Sequence, residues 1–212
     1  MKLTNFNIDN DNIALLYKGQ YLDIHNCYEF RGFQFDNLIR TLSLTWTRSL
    51  EEWSNEKICG FQLFFRQVNY FKVRERDSEL PFSEDTCLSF IGFLGKDMRY
   101  DFDSFVPIEN AKETDDLNIT FQSDQAIKIN SAIVEFKELD EEIIYVSLLD
   151  EGSDVWRPMW AKRIKEMVYK ISTDKNFDRT NEKLQFDVGQ IVTCRRQKIS
   201  DRQCFVATDL EQ

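Results

Sequence analysis

The sequence predicts an all-β protein: an N-terminal β-sandwich or curled antiparallel sheet, followed by a small SH3-like barrel. Three observations predict it. Almost every apolar segment alternates with a period of two, no long amphipathic helical stripe is present, and five short strand patterns crowd the C-terminal third. The chain has 212 residues, 42% hydrophobic and 14% aromatic, so it is too apolar for disorder although 30% of it is charged. That length suffices for one large β domain or two small ones.

Taken in order, "YLDIHNCYEF" reads as a strand carrying His25 and Cys27 on one face. Leu42, Leu44 and Trp46 alternate with Ser43, Thr45 and Thr47, a half-buried strand. In residues 49–57 a Ser precedes a Glu at capping-box spacing, which predicts one or two helical turns with Trp53 pointing inward. Phe61, Leu63 and Phe65 form another apolar face; the phase then slips to Val68 and Tyr70, which predicts a bulge or bend near Gln67. Residues 87–94, "CLSFIGFL", are apolar on both faces and read as a central strand. Residues 97–106 read as a short helix or an irregular loop. Leu117, Ile119 and Phe121 alternate, and "AIKI" and "AIVEF" follow across two turns. The N-terminal part is thus a meander of roughly seven or eight strands.

A boundary falls at "ELDEE", residues 138–142, giving domains 1–139 and 140–212. Five strands are expected beyond it: residues 143–149, 155–164, 167–172, 190–194 and 203–207. A polar loop joins the third to the fourth, and residues 195–202 make the last hairpin.

The charge balance is uneven. Up to Leu139 there are 15 basic and 23 acidic residues; beyond it there are 12 and 14, for a net charge of −10 overall. Such a chain repels phosphate backbones and anionic bilayers and favours a basic partner. Nucleic acid and membrane are therefore not expected partners. No apolar run approaches a membrane span, and the first residues lack the apolar stretch of a signal peptide. Five widely spaced cysteines read as buried thiols in a reducing cytoplasm.

Four constellations stand out. In the segment Asp154-Val155-Trp156-Arg157-Pro158-Met159-Trp160, an extended strand puts Trp156, Pro158 and Trp160 on one face. Pro158 places the strand at an edge or a bend. An aromatic shelf beside Arg157 suits an extended peptide; the plainer alternative has one Trp in the barrel core and Arg157 paired with Asp150, Glu151 or Asp154. The pattern L-D-E-G-x-D-V-W-R-P, residues 149–158, resembles a segment of small barrel domains in uncharacterised bacterial proteins. The resemblance covers only the C-terminal third. It implies a bacterial cytoplasmic protein with an SH3-like tail and no particular activity.

The second constellation surrounds Leu80-Pro81-Phe82 with Asp77, Glu79, Glu84 and Asp85. It suits a carboxylate-based hydrolase or a metal site, or an apolar tip ringed by charge for partner binding, or a solvated loop that folds Phe82 back into the core. The third is the acidic run Asp97, Asp101, Asp103, Glu109, Glu113, Asp115 and Asp116, interleaved with Tyr100, Phe102 and Phe105. An acidic aromatic face can plug a basic site, although a charge run is ordinarily a solvated face. The fourth is a basic hairpin, Arg195, Arg196, Lys198 and Arg202, the alternative of a nucleic-acid-binding barrel.

Catalytic motifs are missing. His25 is the sole histidine, no Cys-x-x-Cys pair is present, and no P-loop or G-x-G-x-x-G occurs. No catalytic residue, metal ligand or cofactor is assigned. The expected function is a non-enzymatic cytoplasmic interaction module, of immunity or inhibitor type, whose acidic face meets a basic protein. Trp156, Arg157, Trp160, Phe82, Asp97, Asp101, Asp103, Asp115 and Asp116 are the candidate binding residues. A homo-oligomer is neither required nor specified by the sequence.

Overall fold

The computed structural model describes the chain apart from Glu52, Asn55, residues 151–154, residues 173–182, Asp201 and Gln212. The expected polar loop between the third and fourth barrel strands and the centre of the L-D-E-G segment lie largely outside the described residues. The chain divides into two units, Met1–Ser49 with Ser54–Glu138, and Leu50–Trp53 with Leu139–Gln212.

The first unit begins with β1 (Lys2–Thr4), β2 (Phe6–Ile8), β3 (Ala14–Tyr17) and β4 (Gln20–Asp23). A single helical turn, α1 (Ile24–Cys27), interrupts the strand expected through His25, because the Asp23 side chain accepts the Asn26 N–H and caps it. β5 (Tyr28–Asp36), β6 (Thr41–Arg48), β7 (Gly60–Arg66) and β8 (Tyr70–Arg74) follow, then β9 (Leu88–Leu94), β10 (Asp116–Phe121), β11 (Ala126–Asn130) and β12 (Ile133–Leu139). Alternation sets the faces. Leu42, Leu44 and Trp46 of β6 pair directly with Phe65, Leu63 and Phe61 of β7, and all six are buried.

These strands form a five-stranded sheet, β1-β12-β7-β6-β5, a four-stranded sheet, β8-β11-β10-β9, and a small sheet, β2-β3-β4. The inner faces of the two larger sheets share one core, with Phe30 of the first 4.6 Å from Phe121 of the second. Of the bulge or bend expected near Gln67, the bend is present: Gln67 has φ 55° and hands the chain from one sheet to the other. Three local expectations change. β9 lies at an edge rather than in the centre, and its outer backbone is met by Asn12 and Val106. β1 pairs with β12 in parallel, a departure from a wholly antiparallel sheet. The segment around Trp53 is not helical in its described residues, and Trp53 is 67% exposed instead of pointing inward. The capping-box spacing was present there without the apolar stripe that a helix needs to dock.

The second unit is a closed barrel of β13 (Glu141–Ser147), β14 (Trp156–Lys165), β15 (Val168–Ile171), β16 (Ile191–Ile199) and β17 (Arg202–Leu210). A parallel contact between Tyr145 and Val206 closes it. Ile144, Val146, Met159, Ala161, Tyr169, Val192 and Phe205 belong to its core. The last two strands run longer than expected, since the basic residues assigned to a loop continue the ladder as far as Ile199 opposite Arg202.

Candidate partner-binding surfaces

The acidic run does not form one face. Residues 95–115 leave β9, make short 3₁₀ turns at Lys96–Met98 and Ile108–Asn110, and return at β10. Residues 98–103, with the carbonyls of Thr114 and Asp115, lie against the outer face of the four-stranded sheet, which is polar and cationic. Register lines up Lys72, Lys128 and Asn118 in one row and Arg74, Ala126 and Thr120 in another, and pairs Tyr70 with Asn130. Asp116 is fully buried and accepts two hydrogen bonds from Arg99, at 2.6 and 3.0 Å, and one from Asn130 at 2.8 Å. Asp115 is buried and accepts the Lys112 N–H. Asp101 accepts from the Asp103 N–H and the Ser104 hydroxyl, which hold its carboxyl below the usual carboxylate range. Asp103 is exposed but bonded to Arg74 at 2.8 Å. Asp97 is exposed.

The counter-charge comes largely from the sheet. Lys128 is fully buried, and its Nζ donates to the carbonyls of Met98, Arg99 and Asp101. Burial lowers its ammonium pKa, opposed by Asp116 and Asp101. The Phe102 ring lies under Lys128, Arg74 and Lys72 at 4.2, 5.2 and 5.3 Å. Thus much of the acidity of the run is spent inside the molecule. The sequence signal for this was the polar side of two otherwise apolar strands, Asn118 and Thr120 in β10 and Lys128 in β11; buried polar positions there require a polar cover.

Phe82 behaves differently. It does not fold back into the core; it is 78% exposed. It sits on a 3₁₀ turn, Phe82–Asp85, opened by Pro81. Arg76 lies over its ring at 4.6 Å. Arg76 is itself fixed by Asp85 at 2.8 Å and by the Leu80 carbonyl. The ring is therefore exposed and held. Near it in sequence are Glu75, Asp77, Glu79, Glu84 and Asp85 against Arg74 and Arg76, and Arg74 is engaged by Asp103. Asp77 accepts the Glu79 N–H while Asp85 binds Arg76, and among the described residues these carboxylates form no group placed to hold a metal ion. Sequence reading found Phe82 but not the role of Arg76, because a cation six residues away gives no periodic signal.

In the barrel, Trp156, Pro158 and Trp160 share the outer wall, as the strand period predicts. Neither Trp fills the core; Met159 and Ala161 do. Both Trp side chains and Arg157 are half-buried, and Asp150, one of the expected partners of Arg157, pairs with Lys183 at 3.2 Å. The basic hairpin residues Arg195, Arg196, Lys198 and Arg202 are exposed.

Chemistry elsewhere is sparse. Cys59, Cys194 and Cys204 are buried, Cys27 and Cys87 are half-buried, and none of the five is in a disulfide. Burial pushes the Cys194 thiol up to about 12. His25 Nδ1 faces the Leu88 carbonyl. Among the described residues no group of His, Cys, Asp and Glu is placed to hold a metal ion, and no helix is long and apolar enough to cross a membrane. A half-open cavity of about 500 Å³ touches Asp97, Asn110, Lys112 and Asp115, but its mixed charges single out no substrate class.

One titrating group was missed by sequence reading. Glu56 receives the Tyr28 hydroxyl at 3.4 Å. Burial, more than the nearby Asp23, raises its carboxyl above the ordinary glutamate range. Between the ordinary and the raised value the folded chain binds more protons than the unfolded chain, so stability falls as pH rises through that window. Glu56→Gln is expected to remove that slope and to raise stability at neutral pH. Urea midpoints measured across pH 4 to 8 check it; equal slopes in both proteins would refute it.

Comparison of the chain with protein-family models, with curated proteins and with solved structures gives no match.

Proposed function

We propose that this protein is a non-enzymatic interaction module that docks a basic partner through the Phe82 loop, in the manner of an inhibitor or immunity protein. The observation that carries the reading is Phe82, an aromatic ring left in solvent yet clamped by Arg76. A large ring that needs no ordering on binding serves as an anchor, since its conformational cost is met beforehand. The surrounding carboxylates add the charge that steers and selects a cationic rim. The expected acidic face is thereby moved from the run at 97–116 to residues 75–85. Five cysteines outside any disulfide support a reducing, cytoplasmic setting.

The test is affinity capture from lysate of the native host, with wild type beside Phe82→Ala. A basic protein retained by wild type is expected to be lost from the variant. Truncating an anchor costs about 2 kcal/mol or more, roughly a 30-fold loss of affinity. The melting temperature should not move, because an exposed side chain contributes little to folding. Equal retention by both proteins would move the interface away from this loop.

A further inference from the structure

The segment at 95–115 is anchored unevenly along its length. Its two ends, Leu94 and Asp116, are direct cross-strand partners, so it is a local excursion closed at its base. Its second half is anchored: Val106 donates its N–H to the Phe93 carbonyl, and Ile108 and Ala111 pack on the sandwich core. Residues 96–99 are fixed by the Arg99–Asp116 pair and by the Arg99 stack on Tyr70. Between that anchor and Val106, residues 100–105 are held mainly by polar contacts to the sheet: the Asp101 carbonyl on Lys128, the Asp103–Arg74 ion pair and the Phe102 carbonyl accepting from Asn118 at 2.7 Å. Phe102 is the buried aromatic among them.

This occupant fits imperfectly. Asn118 Oδ1 and Arg74 Nη2 are buried without a hydrogen-bond partner among the described residues. Unmatched buried polar groups are costly, so a different occupant that reached both would bind the same face better. The chemistry of that occupant is legible in what sits there now. Residues 101–103, Asp-Phe-Asp, set an aromatic ring under three cations and a carboxylate on one of them.

We propose that residues 100–105, between the Arg99 and Val106 anchors, form a displaceable strap, and that the face beneath it, built on Lys72, Arg74, Lys128 and Asn118, binds an acidic, aromatic peptide segment in its place. The strap is then a resident competitor that keeps the face closed until such a segment arrives. This surface is separate from the Phe82 loop and does not depend on its role.

The test uses a fluorescein-labelled peptide with the sequence of residues 97–106, and a control peptide with its Asp residues replaced by Asn. Anisotropy titrations compare wild type, Asp103→Asn and Phe102→Ala. Asp103 is largely exposed, so Asp103→Asn should fold as wild type does. It is expected to bind the acidic peptide at least 10-fold more tightly than wild type, and Phe102→Ala more tightly still. The Asn peptide should bind neither, and Lys72→Gln added to Asp103→Asn should weaken binding. Hydrogen exchange of wild type should show amides of residues 100–105 exchanging at least 10-fold faster than those of β10. Should the folded Asp103→Asn variant bind no better than wild type, the proposal fails. It fails also if strap and β10 amides exchange together, or if millimolar inorganic phosphate displaces the peptide, which would mark a plain anion site.

Discussion

Asp116→Ala is expected to destabilise the first unit by about 3–5 kcal/mol, the cost of leaving buried charge without its partner. Asp116 has no exposed surface and is engaged by Arg99 and Asn130, while Lys128 lies close enough to be stabilised by its charge. Removing the carboxylate strands the Arg99 guanidinium, which also stacks 3.8 Å from the Tyr70 ring, and leaves Lys128 with carbonyls but less counter-charge. Asp116→Asn keeps the shape and an acceptor oxygen and should lose clearly less. Urea unfolding of both variants checks the prediction. A solvated acidic face would predict the opposite, a change within about 0.5 kcal/mol.

Phe61→Ala is expected to cost a similar amount, about 3–5 kcal/mol, for a different reason. Phe61 is fully buried at the middle of a line of rings: Tyr17 to Phe136 at 4.0 Å, Phe136 to Phe61 at 4.7 Å, Phe61 to Trp46 at 5.2 Å, Trp46 to Phe30 at 5.0 Å and Phe30 to Phe121 at 4.6 Å. The line joins the small sheet to both larger sheets. Truncation opens a cavity between Phe136, Trp46 and Tyr28, and stacked rings on either side cannot close it without leaving their own contacts. Denaturant unfolding followed by tryptophan fluorescence measures the loss. A loss below 1 kcal/mol would mean that the rings repack freely.

The fold class was readable because a half-buried strand writes its own period. Leu42, Leu44 and Trp46 needed no partner to be identified, and the five barrel strands appear within a few residues of where alternation put them. What could not be read was long-range. Alternation does not say that β9 is an edge strand, because Asn12 and Val106 cover it from distant parts of the chain. Nor does composition say that Asp116 meets Arg99 and Asn130 rather than solvent. Within the acidic run Asp97, Asp103, Glu109 and Glu113 are exposed while Asp115 and Asp116 are buried, a division that alternation cannot show, since burial of Asp116 is decided by Arg99 elsewhere in the fold. Phe82 was legible as an apolar tip, but its exposure depends on the stack with Arg76.

The most direct test compares the affinity of the captured basic partner for wild type, Phe82→Ala and Asp97→Asn at low and moderate salt. Asp97 is an exposed carboxylate of the acidic run, and Phe82 is the clamped ring outside it. The account predicts at least a 10-fold loss for Phe82→Ala at both salt concentrations, with less than a 3-fold change for Asp97→Asn. Wild-type affinity for Phe82→Ala with a large, salt-dependent loss for Asp97→Asn would contradict it, and would return the interface to the acidic run.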